Sequence, residues 1–389
     1  MRQLMTPPVS NRGALTWASY SGMFVFGIDL AILGALLPSL FREMHLEPSQ
    51  AGSLFVFLNG GALVVTMLSG PAFDRFGFKI LLLAASVLDA ASILGVAHAS
   101  TYPTLAFCSF LLGLGGGGLN SGTNAFVADL YPEAQASALS RLGVFFGFGA
   151  CFIPIFIGSL LSLLSLKAIL MLTACIALVP GLLFLVLRFP PGKQAATGFT
   201  VSQALGVLKS PLVLLLGVLL FFESGNEMNS NAWLAAFLDR KLALPPATSL
   251  YYLSGFWGAV MLGRAISPML LRRLRETTLV QICAAVAVVA LSVLVLFPNP
   301  LVSLIAAVLA GFSISPIYPC VLGFAAARFP GLSGTVFGAL FTIALVGGML
   351  LPWLAGFLVG RHGIQAGLAT AAAGFVMVLV LQTVIKRRQ

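Results

Sequence analysis

Apolar stretches long enough to cross a lipid bilayer follow one another along nearly the whole chain, broken only by short polar turns. A soluble domain carries roughly 25% charged residues. Here the charged share is 8% and the apolar share 59%, with a mean hydropathy of +1.04. Such a chain has too little polar surface to cover itself in water. It is expected to be a multi-pass, all-α membrane protein, its backbone polar groups satisfied inside helices. The 389 residues allow twelve spans, placed at 15–40, 50–72, 79–98, 102–128, 140–164, 168–188, 211–238, 247–269, 277–297, 300–327, 333–358 and 362–385. The first apolar run is read as the first span, not as a cleavable signal peptide.

An even number of spans puts both termini on one side. Of the 21 basic residues, all but Arg42, Lys167, Arg240, Lys241 and Arg361 then fall on that side. The bias predicts cytoplasmic termini in an inner or plasma membrane. The net charge of +10 is therefore a topology signal, and no nucleic-acid partner is expected. The five cysteines lie singly inside apolar runs, without ligand spacing. Neither a disulfide, a metal site nor a cofactor other than a coupling ion is expected.

The longest polar interruption, 190–210, is read as a cytoplasmic linker between an N-terminal six-helix bundle (1–189) and a C-terminal one (211–389). The halves repeat. At a constant offset of 198, Gly113 matches Gly311, Pro132 matches Pro330, Gly149 matches Gly347, Pro154 matches Pro352 and Gly158 matches Gly356. Two such halves with a site at their interface are the architecture of alternating-access transporters.

The polar stretch Phe221–Trp233 marks where that site falls. Read as a helix, Glu223, Asn226, Glu227, Ser230 and Asn231 share one broad face. Ionisable groups inside a bilayer are costly and face a cavity or a partner. Glu223, Asn226, Glu227 and Asn231 are therefore candidate solute ligands, and the two carboxylates candidate cation sites. Asp29 of span one falls at the offset from Glu227. A lone carboxyl there can hold a proton near neutral pH or, with other oxygens, bind Na⁺. Equally, it can be satisfied by a hydroxyl or amide of a neighbouring helix. Asn120, Thr123 and Asn124 form an i, i+3, i+4 set on span four, suited to hydroxyl-rich or zwitterionic ligands or to interhelical hydrogen bonds. Asn59 has the same two readings. Trp257 and Tyr318 fall mid-span and are candidates for lining the cavity. Asp89, mid-span three, is read as structural. Gly115–Gly118 lacks the lysine of a phosphate loop and reads as close helix packing.

The loop Gly70-Pro71-Ala72-Phe73-Asp74-Arg75-Phe76-Gly77-Phe78-Lys79 resembles the G-x-x-x-D-R-x-G-x-K signature of the major facilitator superfamily. The resemblance implies the major facilitator fold, with two pseudo-symmetric bundles. It also implies a cytoplasmic gate made by Gly70, Asp74, Arg75, Gly77 and Lys79, with Asp129 a partner for Arg75 and Arg264 on the second half. Gly225-Asn226-Glu227, Phe256-Trp257-Gly258, Gly263-Arg264 and Ser315-Pro316-Ile317-Tyr318-Pro319 resemble spans seven, eight and ten of the fucose–galactose–glucose symporter family. Asn120 to Asn124, followed by Gly147–Pro154, is similar to its spans four and five. That resemblance implies uptake of a sugar or similar small polar solute with H⁺ or Na⁺. Family members carry an acid in span one, where Asp29 stands, and a second in span four, where Asn120 replaces it.

The expected protein is thus a monomeric secondary active transporter and not an enzyme, its partners the bilayer and a small polar solute. The alternative on the same fold is an exporter of drugs or amphipathic metabolites.

Overall fold

The computed structural model describes residues 11–190, 210–329 and 333–387, without the side chains of 70, 71, 74, 136 and 333–335. The linker expected at 190–210 lies outside these residues except for its two ends, as do Arg2, Lys193, Lys209, Pro330 and Arg388. The described residues form helices joined by short turns. In chain order they are α1 (Arg12–Glu43), α2 (Pro48–Ser69), α3 (Arg75–His98), α4 (Tyr102–Leu130), α5 (Gln135–Leu160) and α6 (Leu166–Val186). The second half holds α7 (Pro211–Lys241), α8 (Pro246–Leu271), α9 (Glu276–Leu296), α10 (Pro300–Arg328), α11 (Ser333–His362) and α12 (Gln365–Arg387). All twelve expected spans are helices. Eleven are long and apolar enough to cross a membrane, and α8, with Arg264 and several small polar residues, is the exception.

Local chemistry sets the boundaries. Proline stands in the first turn of α2, α4, α7, α8 and α10, where its missing N–H costs nothing. Ser165 caps α6 and Asn299 caps α10. The turn between α2 and α3 is not a loop. It stays helical, and the chain turns within the first turn of α3 at Gly77, whose φ of 76° and ψ of 160° are a conformation that favours glycine. Conversely, α10 is broken at Ser315-Pro316, between the helical segments Pro300–Ile314 and Ile317–Arg328. Pro316 has no N–H for the helix, and Ser315 Oγ donates to Val260 O of α8 at 2.6 Å.

The repeat seen in the sequence is a repeat of contacts. A β-carbon on Gly113 would strike Leu58 O, and one on Gly311 would strike Phe256 O. Leu58 and Phe256 are themselves 198 residues apart. Gly158 of α5 packs on Ala247 of α8, while Gly356 of α11 packs on Pro48 of α2. Each half thus presses its fifth helix onto the second helix of the other.

The halves meet in the half of the bundle remote from the termini. There Gly34 packs on Asn231, Gly52 on Pro352 and Trp353, and Arg42 pairs with Asp239. Contact reaches mid-depth, where Gly147 meets Met261 and Asn59 Nδ2 donates to Gly348 O at 3.2 Å. Nearer the termini, Gly143 on α5 and Gly338 on α11 have open space where a β-carbon would sit. Among the described residues, the contacts between the halves lie at the far end and at mid-depth, and the interface parts toward the end bearing the termini.

Candidate functional site

The polar face of α7 lies at the depth where the halves begin to part, and it divides in two. Asn226 and Asn229 turn toward α12. Asn226 fills the space beside Gly374, and Asn229 Nδ2 donates to Gly367 O and Thr370 Oγ1 at 2.9 and 3.0 Å. On the opposite edge, Asn231 Nδ2 donates across the interface to Leu30 O at 2.9 Å. Its Oδ1 accepts from Trp257 Nε1, also at 2.9 Å. Between the edges stand Glu223 and Glu227. Arg264 of α8 places Nη2 3.4 Å from Glu227 Oε1 and its guanidinium 5.0 Å from the ring of Phe146 in the other half. Glu223 is fully buried, and neither of its oxygens has a hydrogen-bond partner among the described residues. Its electrostatic neighbours are Glu227 and Arg264. Tyr318, stacked on Phe341 at 6.0 Å, faces all three. One guanidinium therefore stands among two carboxyls and a phenol. The cluster has spare hydrogen-bonding capacity, because Arg264 Nε is also unpartnered.

In the N-terminal half, Asp29 on α1 and Asp89 on α3 are buried, and each is the charged neighbour of the other. None of their four oxygens accepts a hydrogen bond from the described residues. The four consecutive glycines of α4 let three helices close around it. Gly115 lies against Asp89, Gly116 against Asp29, Gly117 against Ala62 of α2 and Gly118 against Ala85 of α3. Below them, Asn124 Nδ2 donates to Asn120 O and Oδ1 at 2.9 Å, both residues half-buried.

A family model described as Major Facilitator Superfamily matches residues 20–352. The chain belongs to this superfamily. An uncharacterized MFS-type transporter, YfkL, of Bacillus subtilis (strain 168) is 23% identical over 375 residues, 92% of this chain and 94% of the relative. Among solved structures, a point mutant of the nucleoside transporter NupG superposes with a TM-score of 0.83 at 13% identity, covering 96% of this chain and 99% of that one. The D-xylose-proton symporter gives 0.79 at 16% identity, with 96% and 97% covered. FucP in an outward conformation gives 0.64 at 19%, with 95% and 97% covered. At these identities the structural likeness shows the shared fold. The twelve-helix, two-bundle major facilitator fold is the one expected from the signature loop.

Within this facilitator the expected site residues separate. Glu223, Glu227, Tyr318 and Arg264 come together. Asn231 and Trp257 form the far-side seal beside them. Asn59, which stands 198 residues from Trp257, makes the matching seal to Gly348. Asn120 and Asn124 lie on the other half. Asn226 does not join the interface: its edge of α7 is covered by α12, whose Gly374 leaves just the room the amide fills. Arg264 is not at the mouth, where a gate was expected, but at mid-depth with Glu227. Of the gate residues, Lys79 Nζ donates to Leu187 O just past α6 at 3.1 Å, within its own half. Arg75 is exposed, over the ring of Phe76. Asp129 lies at the end of α4 on the side of the termini, and the side chain of Asp74 is outside the described set. Sequence reasoning missed the proximity of Asp89 to Asp29. The available signal was depth: both stand near the middle of their spans, at the level of the four glycines.

Proposed function

We propose that this facilitator is a secondary active transporter that takes up a small hydroxyl-rich solute with a cation by alternating access. The observation that carries the reading is the Glu223–Glu227–Arg264–Tyr318 cluster, at the depth where two halves closed on one side begin to part. A guanidinium with its Nε free, two carboxyls and a phenol offer donors and acceptors in turn, which suits a ring bearing several hydroxyls. Trp257 and Asn231 close the floor beside it, and Asn120 and Asn124 supply amides from the opposite half. The D-xylose-proton symporter and the nucleoside transporter both carry such molecules on this fold, which supports sugars, polyols and nucleosides as the class to test. An outward-directed carrier of amphipathic cargo fits less well, since a buried carboxyl without a partner, such as Glu223, disfavours an apolar ligand beside it.

Coupling needs only that cation and solute favour one shared state. With the termini in the cytoplasm, as the basic loops predict, the present state faces inward. The test is uptake by proteoliposomes under an imposed pH or Na⁺ gradient, with labelled sugars, polyols and nucleosides. Accumulation under one gradient, lost in Glu227→Gln and Arg264→Gln, is expected. No accumulation of any of these under either gradient, in liposomes with verified insertion, overturns the reading.

A further inference from the structure

Asp29 and Asp89 are the two buried carboxyls that the solute cluster does not use. They come from different helices, α1 and α3, and approach the same turn of α4. A β-carbon on Gly116 would lie 2.6 Å from Asp29 Oδ2, and one on Gly115 would lie 2.9 Å from the Cα of Asp89. Only two adjacent residues without side chains let both acids reach this level. Asp29 is 2% exposed and Asp89 is 0%, and none of the four oxygens has a hydrogen-bond donor among the described residues. Two carboxylates placed side by side without a cation cannot both be ionised, and a buried charged pair of one sign is far more costly than an apolar pair of the same size. The charged groups at that depth on neighbouring helices are Glu223 and Glu227 on α7 and Arg264 on α8. These act on one another, whereas the charged group that acts on each aspartate is the other aspartate.

We infer that Asp29 and Asp89 together form a proton site: one proton is shared between the two carboxyls in the notch left by Gly115 and Gly116. The inference rests on the transport reading above and deepens it, naming H⁺ as the coupled ion and Asp89 as the partner of Asp29. A hard metal cation takes about six or more oxygen ligands. Here the four carboxylate oxygens are joined by no hydroxyl or amide that the described residues direct at them. A proton needs just two oxygens. Binding makes one O–H bond on one carboxyl and a hydrogen bond to the other, and the pair passes from two negative charges to one. The site is distinct from the Glu227–Arg264 cluster, so proton and solute can be bound together.

The test is an infrared pH titration of the full-length protein labelled with [¹³C]aspartate, which separates aspartate carboxyl bands from those of Glu223 and Glu227. Of the five aspartates, the Asp29–Asp89 pair is expected to titrate in wild type as two steps separated by more than about one pH unit, with one proton retained between them. In Asp29→Asn and in Asp89→Asn the surviving acid is expected to titrate as a single step, shifted by about a unit or more toward acid from the upper wild-type step. Added Na⁺ at constant pH should leave the protonated band unchanged. Two results overturn the inference: an unmoved midpoint for the surviving acid in both variants, or loss of the band on adding Na⁺. If neither variant folds, the wild type decides alone, since a single unsplit step for both acids overturns the shared proton. Uptake assayed in parallel keeps the two readings apart. A split titration without proton-driven uptake removes the transport reading and leaves the pair. Proton-driven uptake with independent aspartates does the reverse.

Discussion

Arg42 on α1 sets one guanidinium nitrogen 2.9 and 3.1 Å from the two carboxylate oxygens of Asp239 on α7, bridging the halves at the end remote from the termini. Arg240 stands 198 residues from Arg42 and reaches back across the same interface to lie 3.9 Å over the ring of Phe41. Each arginine thus contacts the residue preceding the other. Asp239 is the shared counter-charge, acting on Arg240 as well as pairing with Arg42.

This arrangement predicts an asymmetry between the partners. Arg42 is 46% exposed in its side chain, and an exposed pair contributes about 0–1 kcal/mol. Arg42→Gln should loosen the closed end by about fivefold at most. Asp239→Asn leaves two arginines facing each other and should loosen it more. The measure is the labelling rate of a cysteine placed at Ser249, buried in the first turn of α8, in a background free of native cysteines. Equal rates in the two variants would show that Asp239 is not shared.

The repeat of 198 residues predicts a matched set of glycine effects. Gly113→Ala and Gly311→Ala each drive a β-carbon into a backbone carbonyl, and overpacking of this kind costs about 1–3 kcal/mol. Gly143→Ala and Gly338→Ala enter open space and gain helix propensity. Thermal melts in detergent should show a clear fall for the first pair and none for the second. A large fall for Gly143→Ala would mean that α5 is packed at this level and that the halves do not part there.

These glycines also mark how far the sequence can be read. Apolar run lengths place the helices because the bilayer leaves the backbone few alternatives, and the offset between Gly113 and Gly311 foretells that both helices pack alike. Spacing on α7 shows that Asn226 and Asn231 share a broad face. It cannot show that α12 covers one edge while the other half of the molecule covers the second. That outcome depends on Gly374, some 150 residues away. Arg42–Asp239 is illegible for the same reason, and Asp29–Asp89 is legible only as a shared depth, since each pair joins helices that no local pattern connects. Arg264 looked like a gate residue from its place after Gly263, but its contact with Glu227 is a property of the packed bundle.

Arg264 and Glu227 predict a non-additive pair. Arg264→Gln strips the cluster of its cation and leaves Glu223 and Glu227 buried side by side, a change of the kind that costs about 3–5 kcal/mol in buried pairs. Partial exposure of Arg264, 31% in its side chain, should reduce that figure. In the double variant Arg264→Gln, Glu227→Gln, no unbalanced charge pair remains, so stability should return toward wild type while solute binding stays lost. Melting temperature and solute-induced stabilisation, measured on the two single variants and the double, check this. Additive losses would mean that the two side chains act independently.

Asn59 and Trp257 occupy equivalent positions on α2 and α8, and each closes the far-side interface by one hydrogen bond. Trp257 holds Asn231, which bonds Leu30 O across the interface, whereas Asn59 bonds Gly348 O directly. Trp257→Phe keeps the ring and removes the N–H, leaving Asn231 Oδ1 buried without its donor. Such a loss costs about 1–3 kcal/mol. Asn59→Leu removes donor and acceptor together, so just the Gly348 carbonyl is left short, and the cost should be smaller. Both variants weaken the closed end alone, so both should raise labelling of the cysteine at Ser249, Trp257→Phe the more strongly. Trp257→Phe combined with Asn231→Leu takes away the stranded acceptor and the bond to Leu30 together. If the stranded acceptor is the larger effect, the double variant should label more slowly than Trp257→Phe alone. Faster labelling in the double would place the seal in the Asn231–Leu30 bond itself.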